Sequence, residues 1–162
     1  EDRGHFGSTD VTQLSTTLAQ LKALAVSKHF PDHFVLGSDQ TCTLYSKQIH
    51  KPANSVELKS QLMLLRGKTH ILASAAAIAK GGKIIEVCAS IASLTMRNAS
   101  DSFLDTYISL GGDDLLQCVG GYQIENQGCL LMSEIKGDMY TIMGMPLLSI
   151  LDQFRRLGLI PT

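Results

Sequence analysis

No stretch of this 162-residue chain approaches the roughly 20 consecutive apolar residues that span a bilayer, and no charged-then-apolar leader opens it. The expectation is a cytoplasmic protein with no membrane partner. Charge of one sign is equally lacking: fourteen Lys and Arg stand against fifteen Asp and Glu, a formal net charge of −1. Nothing global then advertises a nucleic-acid surface, and any polyanion has to be met by local charge. Cysteine is sparse. Cys42, Cys88, Cys118 and Cys129 include no CxxC pair and sit in apolar surroundings, which favours small buried hydrophobes over a disulfide or zinc framework. His29 and His33 have the i, i+4 spacing of a metal clamp, but Pro31 between them breaks the helix it would need. Asn98-Ala99-Ser100 matches a glycosylation acceptor, a chance match without a secretory leader. There is no GxGxxG, no GxxxxGK[ST], no GxSxG and no HExxH, so the dinucleotide, P-loop, serine-esterase and zincin readings lack their carriers.

With 44% hydrophobic residues, the chain is long enough for one domain with a genuine core and short for two. It opens on Glu1 rather than Met, and the polar stretch Glu1 to Asp10 reads as a loop entered midway, so a processed or truncated piece is expected. Asp10 is the expected cap of a helix through His29, with Leu14, Leu18, Leu21 and Ala25 as its apolar stripe; Lys22 falls beside that stripe, where spacing alone leaves a plain solvated flank open. Pro31-Asp32 ends that element. Phe34 to Ser38 reads as a short buried strand and Thr41 to Tyr45 as another extended piece, with a turn at Ser46-Lys47-Gln48. Asn54 with Glu57 marks the next helix start, Leu58, Leu62 and Leu65 its buried face and Gly67 its stop. Thr69 to Ala79 and Lys83 to Thr95 flank Gly81-Gly82, a dipeptide suited to a hairpin turn. Ser100 caps a third helix carrying Phe103, Leu104, Tyr107 and Ile108, closed by Gly111-Gly112. Gly120 to Glu125 and Cys129 to Ile135 read as strands, and Pro146 opens a last helix that buries Leu147, Ile150, Leu151 and Phe154 and stops at Gly158. Helices alternate with strands, so a mixed α/β sheet flanked by helices is predicted.

The chemistry-bearing feature is Val35-Leu36-Gly37-Ser38-Asp39-Gln40, an apolar strand expected to end on a carboxylate, followed by His50-Lys51-Pro52. A strand end can hold Asp39 rigidly where a sheet opens, and Pro52 stiffens the segment that carries the cation of Lys51. An acid with a cation suits a metal-bound, polyanionic substrate such as a nucleoside triphosphate. The plain alternative is that Gly-Ser-Asp is a turn.

Six dispersed pieces, Leu18-Ala19-Gln20-Leu21-Lys22-Ala23, Val35 to Gln40, Lys51-Pro52, Leu65-Arg66-Gly67-Lys68-Thr69-His70, Gly120-Gly121-Tyr122-Gln123-Ile124-Glu125 and Ile142-Met143-Gly144-Met145-Pro146-Leu147, in this order resemble the Maf family of nucleotide pyrophosphatases. The resemblance runs from about Leu18 to Leu159. It implies a twisted mixed sheet of the Maf/ITPase type and an enzyme that hydrolyses a nucleoside triphosphate to the monophosphate and pyrophosphate with a divalent metal, Mg2+ or Mn2+. It places the proton acceptor on Asp39 and phosphate contacts on Lys22 and Lys51. One branch of the family reads DT at the first motif and glutamine in the later one, and is associated with dTTP and UTP. Another reads DQ and glutamate, and is associated with 7-methyl-GTP. Gln40 and Glu125 resemble the second branch and are the expected substrate selectors; a carboxylate accepts from the N1 and N2 donors of guanine and favours a cationic methylated ring. The family's opening strand and arginine-bearing phosphate loop would lie upstream of this chain, as would acidic metal ligands of the family, with Glu1 and Asp2 as candidates for one of them. Asn126 stands where the family has a small residue. A homodimer is implied. A catalytically inactive nucleotide binder is the alternative function, and a purely structural α/β domain a second.

Overall fold

A computed structural model describes residues 8–45 and 47–162. Glu1, Asp2 and the polar opening through residue 7 lie outside the described residues, as does Ser46 of the expected turn. In chain order the elements are α1 (Ser8–Ser27), β1 (Val35–Leu44), β2 (Lys47–Ile49), α2 (Ser55–Leu65), β3 (Thr69–Lys80), β4 (Lys83–Met96), α3 (Asp101–Gly111), β5 (Met132–Lys136), α4 (Met139–Ile142) and α5 (Leu147–Arg156), with 3-10 turns at Gly112–Gln117 and Gln127–Leu131. The five strands lie in the order β2-β1-β3-β4-β5, the α/β sheet expected. The chain forms two compact units: one holds the chain through Gln40 with Ala73–Ile91 and Met139–Thr162, the other Thr41–Leu72 and Ala92–Asp138.

In the first unit, α1 begins at Ser8, so position 10 falls inside the helix and not at the residue before it. Its buried face is also not the leucine stripe: Leu14 and Leu21 are 42% and 57% exposed, whereas Ser15, Ala19, Ala23 and Ser27 are fully buried. These four recur every fourth residue and satisfy helical periodicity as well as the leucines do. They win because the helix lies very close to β1. A Cβ on Gly37 would stand 2.5 Å from the carbonyl oxygen of Ala19 and 2.6 Å from the backbone nitrogen of Ala23, so only small side chains fit between helix and strand. Ala19 and Ala23 join Ala75, Ala77 and Ala79 of β3 in one all-alanine cluster. The Gly81-Gly82 turn between β3 and β4 takes φ of 57° and 73°, the left-handed pair a two-residue hairpin requires. α5 follows Pro146, buries Ile150 and ends before Gly158, at φ 69°.

β1 runs unbroken from Val35 to Leu44. The two extended pieces expected on either side of Asp39 are therefore one strand, and Gly37-Ser38-Asp39 is not a turn. The chain reverses beyond Leu44 through Tyr45, at φ 55°, and Leu44 pairs antiparallel with Lys47; Lys47 and Gln48 thus belong to β2 and not to the turn.

In the second unit the capping predictions hold. Asn54 accepts the Glu57 N–H at 2.9 Å while Glu57 Oε2 accepts the Ala53 N–H at 2.9 Å, a reciprocal box that satisfies two orphan donors. Leu58, Leu62 and Leu65 are fully buried. Ser100 caps α3 through the Phe103 N–H, and α3 buries Leu104 and Tyr107 before Gly112 at φ 56°. Gly120 to Glu125 is not a strand. Gly120 and Gly121 take φ of 86° and 73°, which turns the chain out of extended geometry. The strand that follows is shorter than expected and starts at Met132. The cysteines are free. Cys42 is buried, its thiol pushed up to about 12 by desolvation, but Cys129 is exposed and departs from the buried expectation.

His70 and Tyr122, from two different motifs, meet inside this unit with Nε2 and Oη 2.5 Å apart. His70 is fully buried and its Nδ1 has no hydrogen-bond partner, and burial lowers it from its ordinary 6.5 to about 4. Between those two pH values the unfolded chain takes up a proton that the folded chain refuses. Stability is therefore expected to fall as pH drops through the window, by about 3 kcal/mol once the pH is below both values. Urea unfolding of the parent and of His70→Gln at pH 7.5 and at about pH 4.5 checks this: the variant should show the flatter pH dependence.

Candidate active site

Side chains of a strand alternate between its two faces, and β1 uses both. The odd positions face α1: Gly37 lets the helix in, and two residues on Asp39 meets Lys22, Nζ to Oδ1 2.5 Å. Lys22 also donates to the Ser38 carbonyl at 3.1 Å. The side chain of Lys22 is 58% exposed and that of Asp39 16%, so a mostly covered carboxylate is oriented by a cation that solvent still reaches. Lys22 does lie on an exposed flank of the helix, but its ammonium is engaged by Asp39 and the Ser38 carbonyl.

The even positions hold the Ile142 to Leu147 motif. Ser38 Oγ lies 2.9 Å from the Ala75 carbonyl and 3.0 Å from that of Gly144. Gln40 Nε2 donates to Ser74 Oγ at 3.0 Å and to the carbonyls of Thr141 at 2.9 Å and Ile142 at 3.0 Å. Asp39 is thus gripped from both sides of its strand, and the Gln40 amide nitrogen is fully spent on the protein. Ser38 and Gly144 lie in two of the sequence motifs but were given no role from sequence; their bond joins segments 106 residues apart, and no local signal announces the pairing. Asp39 itself lies in mid-strand, not at the strand end.

Lys22, Asp39 and Gln40 come together in the first unit; Lys51 and Glu125 belong to the second. There, Lys51 is exposed and lies two residues beyond the end of β2, with Pro52 buried beside it. Glu125 is exposed on the turn that replaces the expected strand. Both act on one neighbour: burial raises the Cys118 thiol and the Gln123 side chain, hydrogen-bonded to it, lowers it, while the charge of Glu125 raises it and that of Lys51 lowers it. The charges of Glu125 and Lys51 are thus both felt at Cys118. Among the described residues no three His, Cys, Asp or Glu side chains gather at metal-binding spacing.

The Maf-like protein family model matches residues 2–157. A nucleoside triphosphate pyrophosphatase of Rhodopseudomonas palustris (strain BisB18) is 39% identical over 150 residues, 93% of this chain and 74% of that protein. A 7-methyl-GTP pyrophosphatase of Mesorhizobium japonicum is 41% identical over 91% of this chain and 74% of its own length, and one of Bartonella quintana 43% identical over 91% and 75%. The motif order read from the sequence and a family match over nearly its whole length agree: this chain belongs to the Maf family.

Proposed function

We propose that this chain is a nucleoside triphosphate pyrophosphatase that releases the monophosphate and pyrophosphate, and that its preferred substrate carries a 7-methylated guanine. The observation that carries the reaction is the Lys22–Asp39 pair, 2.5 Å apart and fixed from both faces of β1. Asp39 takes a proton from the attacking water while the water oxygen bonds to the α-phosphorus and the bond to the bridging oxygen breaks, releasing pyrophosphate. Lys22 and Lys51 neutralise the charge that builds on the leaving group. A divalent cation, Mg2+ or Mn2+, belongs to this reading. Among the described residues no three-ligand cluster gathers, and Asp39 is the carboxylate at the site that would orient a water bound to such a cation. When bound it supplies charge neutralisation at the phosphoryl oxygens.

Glu125 and Gln40 are the substrate selectors in this reading, Gln40 through its Oε1, since its nitrogen is engaged. The protein acts in the cytoplasm as a homodimer. Pyrophosphate release with Mg2+ or Mn2+ across 7-methyl-GTP, GTP, UTP, dTTP and CTP tests the proposal. Turnover is expected to be highest with 7-methyl-GTP, and nucleotide binding without turnover would replace the enzyme by an inactive binder. In Glu125→Gln the ratio of kcat/KM for 7-methyl-GTP over UTP is expected to fall by about tenfold or more. An unchanged ranking removes Glu125 from base selection.

A further inference from the structure

The turn that carries Glu125 is closed three times over. The N–H groups of Asn126 and Gly128 both donate to the Gln123 carbonyl, at 3.1 and 2.9 Å, and Asn126 Nδ2 donates to Gln123 Oε1 at 2.9 Å. Position 128 has to be glycine, because a Cβ there would stand 2.3 Å from the Gln123 carbonyl oxygen. The two residues that close this turn, Gln123 and Asn126, also line a cavity of about 300 Å³. The end of α3 and the 3-10 turn after it contribute Tyr107, Leu110 and Asp114 to the lining, and Gln127 adds a third amide. Charge decides what such a space takes. It offers one carboxylate, three amides, an aromatic ring and aliphatic walls, and no lysine or arginine among its described lining residues; a phosphate would meet Asp114 with no cation to offset it. A planar heterocycle with ring N–H donors fits the same set, through the carboxylate and amide acceptors at its edge and the apolar walls at its faces. The charge of Glu125 is felt at Tyr107, one of those walls.

We propose that this cavity is the nucleobase site of the enzyme and that Asp114, with the Gln123–Asn126 amide pair, contributes to the choice of base. The inference rests on the pyrophosphatase reading for its biological meaning, and its test does not require turnover. The probe is phosphate-free 7-methylguanosine, titrated into the full chain by NMR, with uridine as the comparison. Saturable binding of 7-methylguanosine in preference to uridine is expected, with Kd raised about tenfold or more in Asp114→Asn and in Asn126→Ala. Kd for inorganic pyrophosphate should be unchanged in both variants, which a merely unfolded or slackened domain would not give. Binding that is equal in parent and Asp114→Asn, or absent in the parent, overturns the inference. Where these nucleoside results are as expected but no triphosphate is turned over, the base site stands and the hydrolytic reading falls. Where 7-methyl-GTP is turned over and the nucleoside titration is indifferent to Asp114, the reverse holds.

Discussion

Asp39→Asn is expected to lower kcat for pyrophosphate release by between about 10² and 10⁴, the range a positioned general base contributes, while leaving the fold in place. The amide keeps the shape of the carboxylate, and its Oδ1 can still accept from Lys22 at the 2.5 Å contact. The loss of the ion pair costs little, because Lys22 is more than half exposed and exposed pairs contribute about 0–1 kcal/mol. What disappears is the anionic oxygen that takes a proton from water. The strand beneath is unaffected, since Ser38 and Gln40 hold it from the opposite face. Single-turnover pyrophosphate release, with circular dichroism as the fold control, measures both halves of the statement. Retained activity in a folded Asp39→Asn protein would sink the base assignment.

Gly37→Ala carries the largest expected effect on stability, out of proportion to one methyl group. The new Cβ would meet two backbone atoms of α1, at 2.5 and 2.6 Å, and neither is the far end of a flexible side chain. Relief requires the helix to move off the strand, which opens the packing of Ala19 and Ala23 against Ala75, Ala77 and Ala79 and carries Lys22 away from Asp39. Overpacking of this kind costs about 1–3 kcal/mol, with the upper end expected where backbone must yield. For a chain of this size that is a loss of roughly 2–12 °C in Tm. Denaturant unfolding should show a lower midpoint, and activity should fall further than stability because the catalytic pair is displaced. A midpoint equal to the parent would mean that α1 does not sit as close to β1 as described.

Local chemistry was the legible part of this fold. Asn54 with Glu57, Ser100, Gly67, Gly81-Gly82 and Gly158 act through their own backbone or that of near neighbours, and each marks an element boundary where the sequence places it. The misread pieces are those in which a distant partner chooses between two locally equal answers. In α1 both Leu14-Leu18-Leu21-Ala25 and Ser15-Ala19-Ala23-Ser27 make a helical stripe, and hydrophobicity favours the first. The bare backbone of Gly37, presented by a different element, selects the second. In Gly120 to Glu125 the alternation of Tyr122 and Ile124 with polar neighbours mimics a strand, and the positive φ of the two glycines overrides it. Asp39 was found because its motif is contiguous. Ser38 and Gly144 stand in sequence motifs as well, but their pairing was not legible, because the bond that makes them part of the site joins two segments far apart in the chain.

That long bond has a meaning during synthesis. The strand bearing Asp39 leaves the ribosome well before the carbonyls of Thr141, Ile142 and Gly144 that Ser38 and Gln40 bind, and at about 5–20 residues per second the wait is of the order of 5–20 s. Until then Ser38 and Gln40 have only their partners on β3, the Ala75 carbonyl and Ser74 Oγ, to bind. A nascent or interrupted chain ending before Met139 would have its acid and its lysine but only part of the hold on the strand that aims them, and so is expected to turn over nucleoside triphosphates more slowly than a chain that carries the Thr141 to Gly144 segment.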